Sequence, residues 1–289
     1  MIECVDQRDL SFSWQDGACI IAGFDSLDLH TTCQCGQAFR WIRAGDAGQI
    51  EEGVVRGRLL RLEQRGEELV VHPPADSETV SIVTDYFRLR QSHAALEARI
   101  AATDPVMSRA VESARGLRLV AQEPWECLVS YIVSANNSVA QISRVVENLS
   151  RVWGGPVDGS LRRAFPAPGE LGCASETDVL ACKAGFRSRA ICEAATKVAD
   201  GQLDLDAVTA MDYDSAKQEL MLLRGVGEKI ADCVLLFSMG KFEAFPVDVW
   251  IERAVRHLFF GGEQVSHREI RQWAAANFGL LAGYAQEYL

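Results

Sequence analysis

The sequence predicts an α+β protein, an N-terminal antiparallel β-sheet domain attached to a larger all-helical body. Three observations lead there. Residues 1 to about 75 hold short apolar and alternating runs separated by turn residues. From about residue 78 the apolar spacing becomes helical. No repeat or low-complexity tract interrupts the 289 residues, and their 48% hydrophobic content suffices for a large core or for two domains sharing a cleft.

The elements follow in order. Ala18 to Ile21 is apolar, and Phe39-Arg40-Trp41-Ile42-Arg43 alternates as a strand does. Leu59 to Leu62 and Leu69 to Val71 flank Gln64-Arg65-Gly66-Glu67, a hairpin turn, and Pro73-Pro74 closes this part. Val80, Ile82, Val83, Tyr86, Phe87 and Leu89 are spaced for one helix face. Pro124 suits a first helical position, with apolar residues continuing to Val133. Pro156, Pro166 and Pro168 mark a loop region at about 154–170. Helices are expected at 176–182, 187–200, 214–223, 228–239, 249–260 and 266–276. The domains divide as 1–110, strand-rich with its following helices, and 111–289, a helical core with a hairpin at 214–240.

That hairpin carries the chemistry. In Leu222-Leu223-Arg224-Gly225-Val226-Gly227-Glu228-Lys229, two glycines flank an apolar valine between helical runs. Glycines there permit positive φ and a close approach of backbone to a partner. The second helix begins at the turn, so its free N–H groups suit an anion. Lys229 and Cys233 stand one turn apart on one face. Asp248, after Pro246-Val247 and before a helical run, fits an N-cap.

Composition constrains partners. A formal charge of -11 argues mildly against nucleic acid, but the acidic residues gather away from these motifs, at Glu51-Glu52, Glu67-Glu68 and Asp204 to Asp214. Arg40, Lys183, Arg187, Arg189, Arg224 and Lys229 predict a small basic footprint on an acidic body. Of nine cysteines only Cys33 and Cys35 are close, without the second pair a zinc site needs, so no metal is expected. Most of the cysteines read as small core residues in a reducing cytosol. Neither a signal peptide nor an apolar run of membrane length is present, so no membrane partner is expected.

The Gly-Val-Gly turn with Lys229, Cys233 and Pro246-Val247-Asp248 resembles the helix-hairpin-helix DNA glycosylases, and within them the 8-oxoguanine DNA glycosylase/lyases of bacterial type. Gly36-Gln37-Ala38-Phe39-Arg40-Trp41, Glu123-Pro124-Trp125-Glu126-Cys127, Ser134-Ala135-Asn136-Asn137, Gly185-Phe186-Arg187 and Tyr284-Ala285-Gln286 extend the resemblance over most of the chain. It implies a two-lobed helical body with the site in its cleft. It also implies a cofactor-free, monomeric enzyme of a prokaryotic cytosol, acting on double-stranded DNA that contains 8-oxoguanine. No cysteine follows Cys233, which excludes the iron–sulfur loop of other superfamily branches.

The resemblance makes Lys229 the nucleophile, although its place at the turn suits a phosphate contact equally well. A neutral amine attacking C1′ leaves a Schiff base, which permits strand cleavage by β-elimination. An ordinary lysine amine is charged at pH 7, so neutrality costs roughly 4–5 kcal/mol, to be met by desolvation and the helix's positive end. Asp248 is implied as the anion that stabilises the developing oxocarbenium ion. Cys233 is an inert thiol, a floor for the flipped base, or a thiolate paired with Lys229. The Gly36 carbonyl is implied as the lesion sensor. It accepts a hydrogen bond from N7–H of 8-oxoguanine but faces a lone pair in guanine, a penalty of roughly 1–3 kcal/mol. Gln286 reads the Watson–Crick edge, Asn136 enters the vacated stack, Phe186 wedges between bases and Arg187 reads the orphaned cytosine. Without the resemblance these four would be a surface amide, a loop cap, a core ring and a solvated charge.

Three departures stand out. Gln141 occupies the place of a second cytosine-gripping arginine, Trp250 replaces a histidine, and the sequence stops at Leu289 before an expected stacking aromatic. The first predicts relaxed discrimination of the opposite base. The last, if natural, predicts a weaker hold on the lesion. Two rival readings remain, a hydrolytic, aspartate-only glycosylase for alkylated bases and a non-catalytic hairpin module.

Overall fold

The computed structural model describes residues 7–289. Its six antiparallel strands are β1 (Ser11–Gln15), β2 (Ala18–Ala22), β3 (Trp41–Ala44), β4 (Ile50–Val55), β5 (Arg58–Arg65) and β6 (Glu68–Val71). They form one sheet in the order β1-β2-β6-β5-β4-β3. The hairpin between Leu62 and Leu69 is as expected, with Arg65 paired to Glu68. β1 was not anticipated, because Ser-Phe-Ser-Trp-Gln lies at the exposed edge and carries no buried face. Alternate residues Cys19, Ile21, Leu60, Leu62, Leu69 and Val71 are fully buried. A short helix, α1 (Leu29–Gln34), interrupts the strands, its first turn capped by Asp28 accepting from Thr31 N–H at 2.8 Å.

The helical body follows. It begins with α2 (Ser77–Tyr86), α3 (His93–Ala101), α4 (Pro105–Ser113), α5 (Pro124–Ser134) and α6 (Val139–Trp153). It continues through α7 (Pro168–Gly172), α8 (Glu176–Val179), α9 (Ser188–Ala199), α10 (Leu205–Ala210) and α11 (Tyr213–Met221). It ends with α12 (Glu228–Ser238), α13 (Val249–Phe259), α14 (His267–Phe278) and α15 (Ala282–Glu287). The helix face anticipated through Leu89 ends at Tyr86, because Arg88 adopts a φ of +51°. The helix expected at 176–182 is cut at Val179. A π-turn follows over Leu180–Ala184 with Lys183 at φ +71°. Pro124 does open α5.

Two cores hold these layers. Val80, Val83 and Phe87 join the inward residues of the sheet, and Trp41 donates to the Tyr86 hydroxyl at 3.0 Å. The larger core gathers the helices and includes Phe39, which reaches it from beside β3. Between the two runs 117–122, an extended segment whose polar atoms fix the loop described next.

Candidate active site

The loop Cys35-Gly36-Gln37 leaves α1 with Gly36 at φ +101°, a conformation a side chain strains even though a Cβ there would make only an ordinary contact with Val139 Cγ2 at 3.5 Å. Gln37 is buried and fixes it. Its Nε2 donates to the carbonyls of Thr32 (3.0 Å) and Arg118 (2.8 Å), and its Oε1 accepts from Val120 N–H (2.9 Å). Its carbonyl accepts from Gln122 Nε2 (2.7 Å) and from the Tyr131 hydroxyl (3.0 Å). The direction of the neighbouring Gly36 peptide is thereby set by groups from three parts of the chain.

Opposite this loop, α12 packs on α5. Lys229, Cys233 and Phe237 fall at successive turns of α12 and line one cavity of about 160 Å³ together with Gly36, Asp248 and Gln286. Lys229 is half-buried. Its Nζ lies 5.1 Å from the centroid of the Tyr131 ring and 3.4 Å from the Ser134 hydroxyl. Tyr131 stacks on Phe237 with centroids 5.6 Å apart, so the aromatic wall is rigid. Asp248 is the N-cap of α13, one oxygen accepting from Trp250 and Ile251 N–H, both at 2.9 Å. Cys233 is buried, and burial pushes its thiol up to about 12 against the opposing pull of Lys229. That shift speaks against a thiolate paired with Lys229 and is compatible with both an inert thiol and a neutral floor for the base. Gln286 keeps its Oε1 buried and without a partner, so it is no ordinary surface amide.

The turn before α12 is only partly as anticipated. Gly225 has φ +77°, and a Cβ there would meet Ala190 Cβ at 3.3 Å. Gly227 instead has an extended backbone (φ -100°) as N-cap, and the space where its side chain would be is open. Val226 turns its side chain into the core, which leaves only its backbone to face a partner. With no side-chain cap on α12, the N–H groups of its first turn remain available to an anion.

A second cluster lies beside Ser134. Asn136 is exposed at φ +50° and Phe186 is 73% exposed, which removes the core-ring reading of the latter. Arg187 is buried, not solvated. It donates to the carbonyls of Ala135 (2.8 Å), Asn136 (3.1 Å) and Ala184 (3.3 Å), with Phe186 over its guanidinium at 4.3 Å. In this form it braces the Asn136 loop. The basic footprint is accordingly smaller than the sequence implied. Arg40 is buried against Glu147 at 2.9 Å, while Arg189 and Arg224 share Glu193. Gln37, Gln122, Tyr131 and Glu287 escaped sequence reasoning. Gln37 and Gln122 carry no periodic signal, Tyr131 reads only as one more residue of the apolar run ending at Val133, and the one signal for Glu287 is an acid beside Gln286.

Among family models, that for the 8-oxoguanine DNA glycosylase N-terminal domain matches residues 20–128, and that for HhH-GPD superfamily base excision DNA repair proteins matches 129–278. An N-glycosylase/DNA lyase of Arabidopsis thaliana is 30% identical over 91% of this chain and 76% of its own. A probable N-glycosylase/DNA lyase of Methanothermobacter thermautotrophicus is 36% identical over 64% of this chain, which spans 66% of that relative. The Clostridium acetobutylicum 8-oxoguanine glycosylase/lyase, solved with double-stranded DNA bearing cytosine opposite 8-oxoguanine, superposes with a TM-score of 0.91. It shows 30% identity, covering 98% of this chain and 96% of that one. A sheet-and-helix architecture built around one lysine-bearing hairpin thus agrees with both matches, and the chain belongs to the 8-oxoguanine DNA glycosylase/lyase family of the helix-hairpin-helix base-excision repair superfamily.

Proposed function

We propose that this chain excises 8-oxoguanine from duplex DNA and nicks the resulting abasic site, with Lys229 as nucleophile and Asp248 as the fixed anion. One observation carries the reading: an amine, a carboxylate, a constrained glycine peptide and an unpartnered amide border one cavity of about 160 Å³. The flipped base enters between Gly36 and the face of α12. The Gly36 carbonyl accepts from N7–H of the lesion, and the vacant Gln286 amide oxygen accepts from a donor on its Watson–Crick edge. Cys233 and Phe237 form the apolar floor.

The Lys229 amine attacks C1′ while the base departs, with Asp248 opposing the positive charge that develops there. The Schiff base that follows allows β-elimination of the 3′ phosphate. The first turn of α12 holds a backbone phosphate, and Asn136 and Phe186 fill the vacated stack. The enzyme acts as a monomer in the cytosol of a prokaryote. Among the described residues no helix is long and apolar enough to cross a membrane.

Borohydride trapping on an 8-oxoguanine duplex tests the reading. The wild-type chain cross-links, whereas Lys229→Gln neither cross-links nor releases the base above about one per cent of the wild-type rate. Undiminished release by Lys229→Gln refutes the mechanism and favours water-driven hydrolysis.

A further inference from the structure

We propose that Glu287, on the wall of the Lys229 cavity, supplies the proton that neutralises the departing purine. The inference rests on the Lys229 reading above. Glu287 closes α15 directly after Gln286 and borders the same cavity as Lys229 and Asp248. The Cys35 thiol donates to its Oε1 at 3.2 Å, which holds the carboxyl from the opposite loop. No hydrogen bond within the described residues engages its second oxygen.

The other titratable groups facing it come from four elements. They are Cys35 at the end of α1, Tyr131 of α5, Lys229 and Cys233 of α12, and Asp248 at the cap of α13. None is suited to donate. Burial holds the Tyr131 phenol and the Cys35 thiol far up and pushes the Cys233 thiol to about 12. Asp248 accepts two N–H bonds, and Lys229 must attack as a free amine. Burial raises the Glu287 carboxyl to about 7, with Asp248 adding to the shift and the Cys35 hydrogen bond opposing it. An acid balanced near the working pH is the effective general acid.

The step balances. As the Lys229 nitrogen bonds to C1′, the C1′–N9 bond breaks and its electron pair passes to the purine. The Glu287 O–H gives its proton to the purine, leaving a neutral base and a carboxylate. The new C1′ ammonium then loses a proton to that carboxylate, which restores the acid.

Single-turnover release of 8-oxoguanine, measured from about pH 6 to 9 in parallel with borohydride trapping on a preformed abasic duplex, tests this. Trapping on the abasic duplex needs Lys229 but no departing base. A wild-type chain that fails there sinks the Lys229 reading itself. Expected is a wild-type release rate that falls above about pH 7, and Glu287→Gln that traps normally yet releases base about 10²-fold more slowly. In Cys35→Ala the falling limb moves to higher pH, because a bond favouring the carboxylate is gone. Normal release by Glu287→Gln overturns the proposal. Should that variant also lose trapping, the wild-type profile decides. A rate flat across the range overturns the proposal, and a limb displaced upward by Cys35→Ala upholds it.

Discussion

Gln37 spends side chain and carbonyl alike on holding one neighbouring peptide, and Gly36 supplies the φ of +101° that this peptide requires. A glutamine inside Gly-Gln-Ala-Phe-Arg-Trp shows no such duty in sequence, because its partners at Thr32, Arg118, Val120, Gln122 and Tyr131 come together only by folding. Lys229, Cys233 and Asp248 were legible because helical spacing and a cap position are local facts. The burial of Arg187 was not legible, since nothing in Gly-Phe-Arg announces the carbonyls that take up its donors. Gln141 is exposed at the start of α6, on the side of the Asn136 loop. An amide there lacks the charged fork that matches cytosine. Excision opposite each of the four bases should therefore differ by less than about tenfold, and Gln141→Arg should widen the preference for cytosine by roughly 1–2 kcal/mol. A strict cytosine requirement in the wild-type chain contradicts this.

Between α11 and α12 the hairpin is held by a buried clasp. Asp232, with no exposed side-chain surface, meets Lys217 Nζ at 2.8 Å and accepts from the Tyr213 hydroxyl at 2.7 Å. Burial raises the Asp232 carboxyl even though both partners pull it down. Removing one partner strands the other, so Lys217→Ala should destabilise the fold by about 3–5 kcal/mol, whereas a Lys217→Met, Asp232→Leu double variant should recover most of that loss. Urea unfolding of the three chains measures it. The element boundaries here were legible, because 214–223 and 228–239 differ from Tyr213–Met221 and Glu228–Ser238 by little. The clasp was not, since a lysine and an aspartate fifteen positions apart give no local sign of meeting. α1 and α3 escaped notice for another reason, as their short sequences carry too little apolar spacing to separate helix from loop.

Over the whole molecule, the larger core takes in Leu96, Ile100, Met107 and Val111, so α3 and α4 pack with the helical body. Beside them lies a buried polar chain. His93 Nε2 stands 3.0 Å from the Tyr288 hydroxyl, which donates to Glu97 at 3.1 Å and joins the last residues to α3. Burial, then the charge of Arg118, pushes His93 down to about 3. A neutral histidine in the folded state and a protonated one in the unfolded chain give a definite sign. Its contribution is fully present above about pH 6.5 and is lost as pH falls toward 3. The difference in unfolding free energy between wild type and His93→Gln should be flat above pH 6.5 and shrink by about 1.4 kcal/mol per pH unit below it. A difference independent of pH contradicts the buried neutral ring. The α+β class was legible from composition and periodicity, while this chain of contacts, joining residues 195 positions apart, was not.

The anchoring of the Gly36 peptide across the 117–122 segment has a last consequence. Its supports belong partly to the sheet side and partly to α5, while the amine belongs to the helices alone. Under the roles proposed for Lys229 and Gly36, chemistry and lesion sensing are thus seated in separate halves. A helical fragment stripped of the sheet would still cut sites already missing a base, but would have lost its means of telling a damaged purine from a sound one.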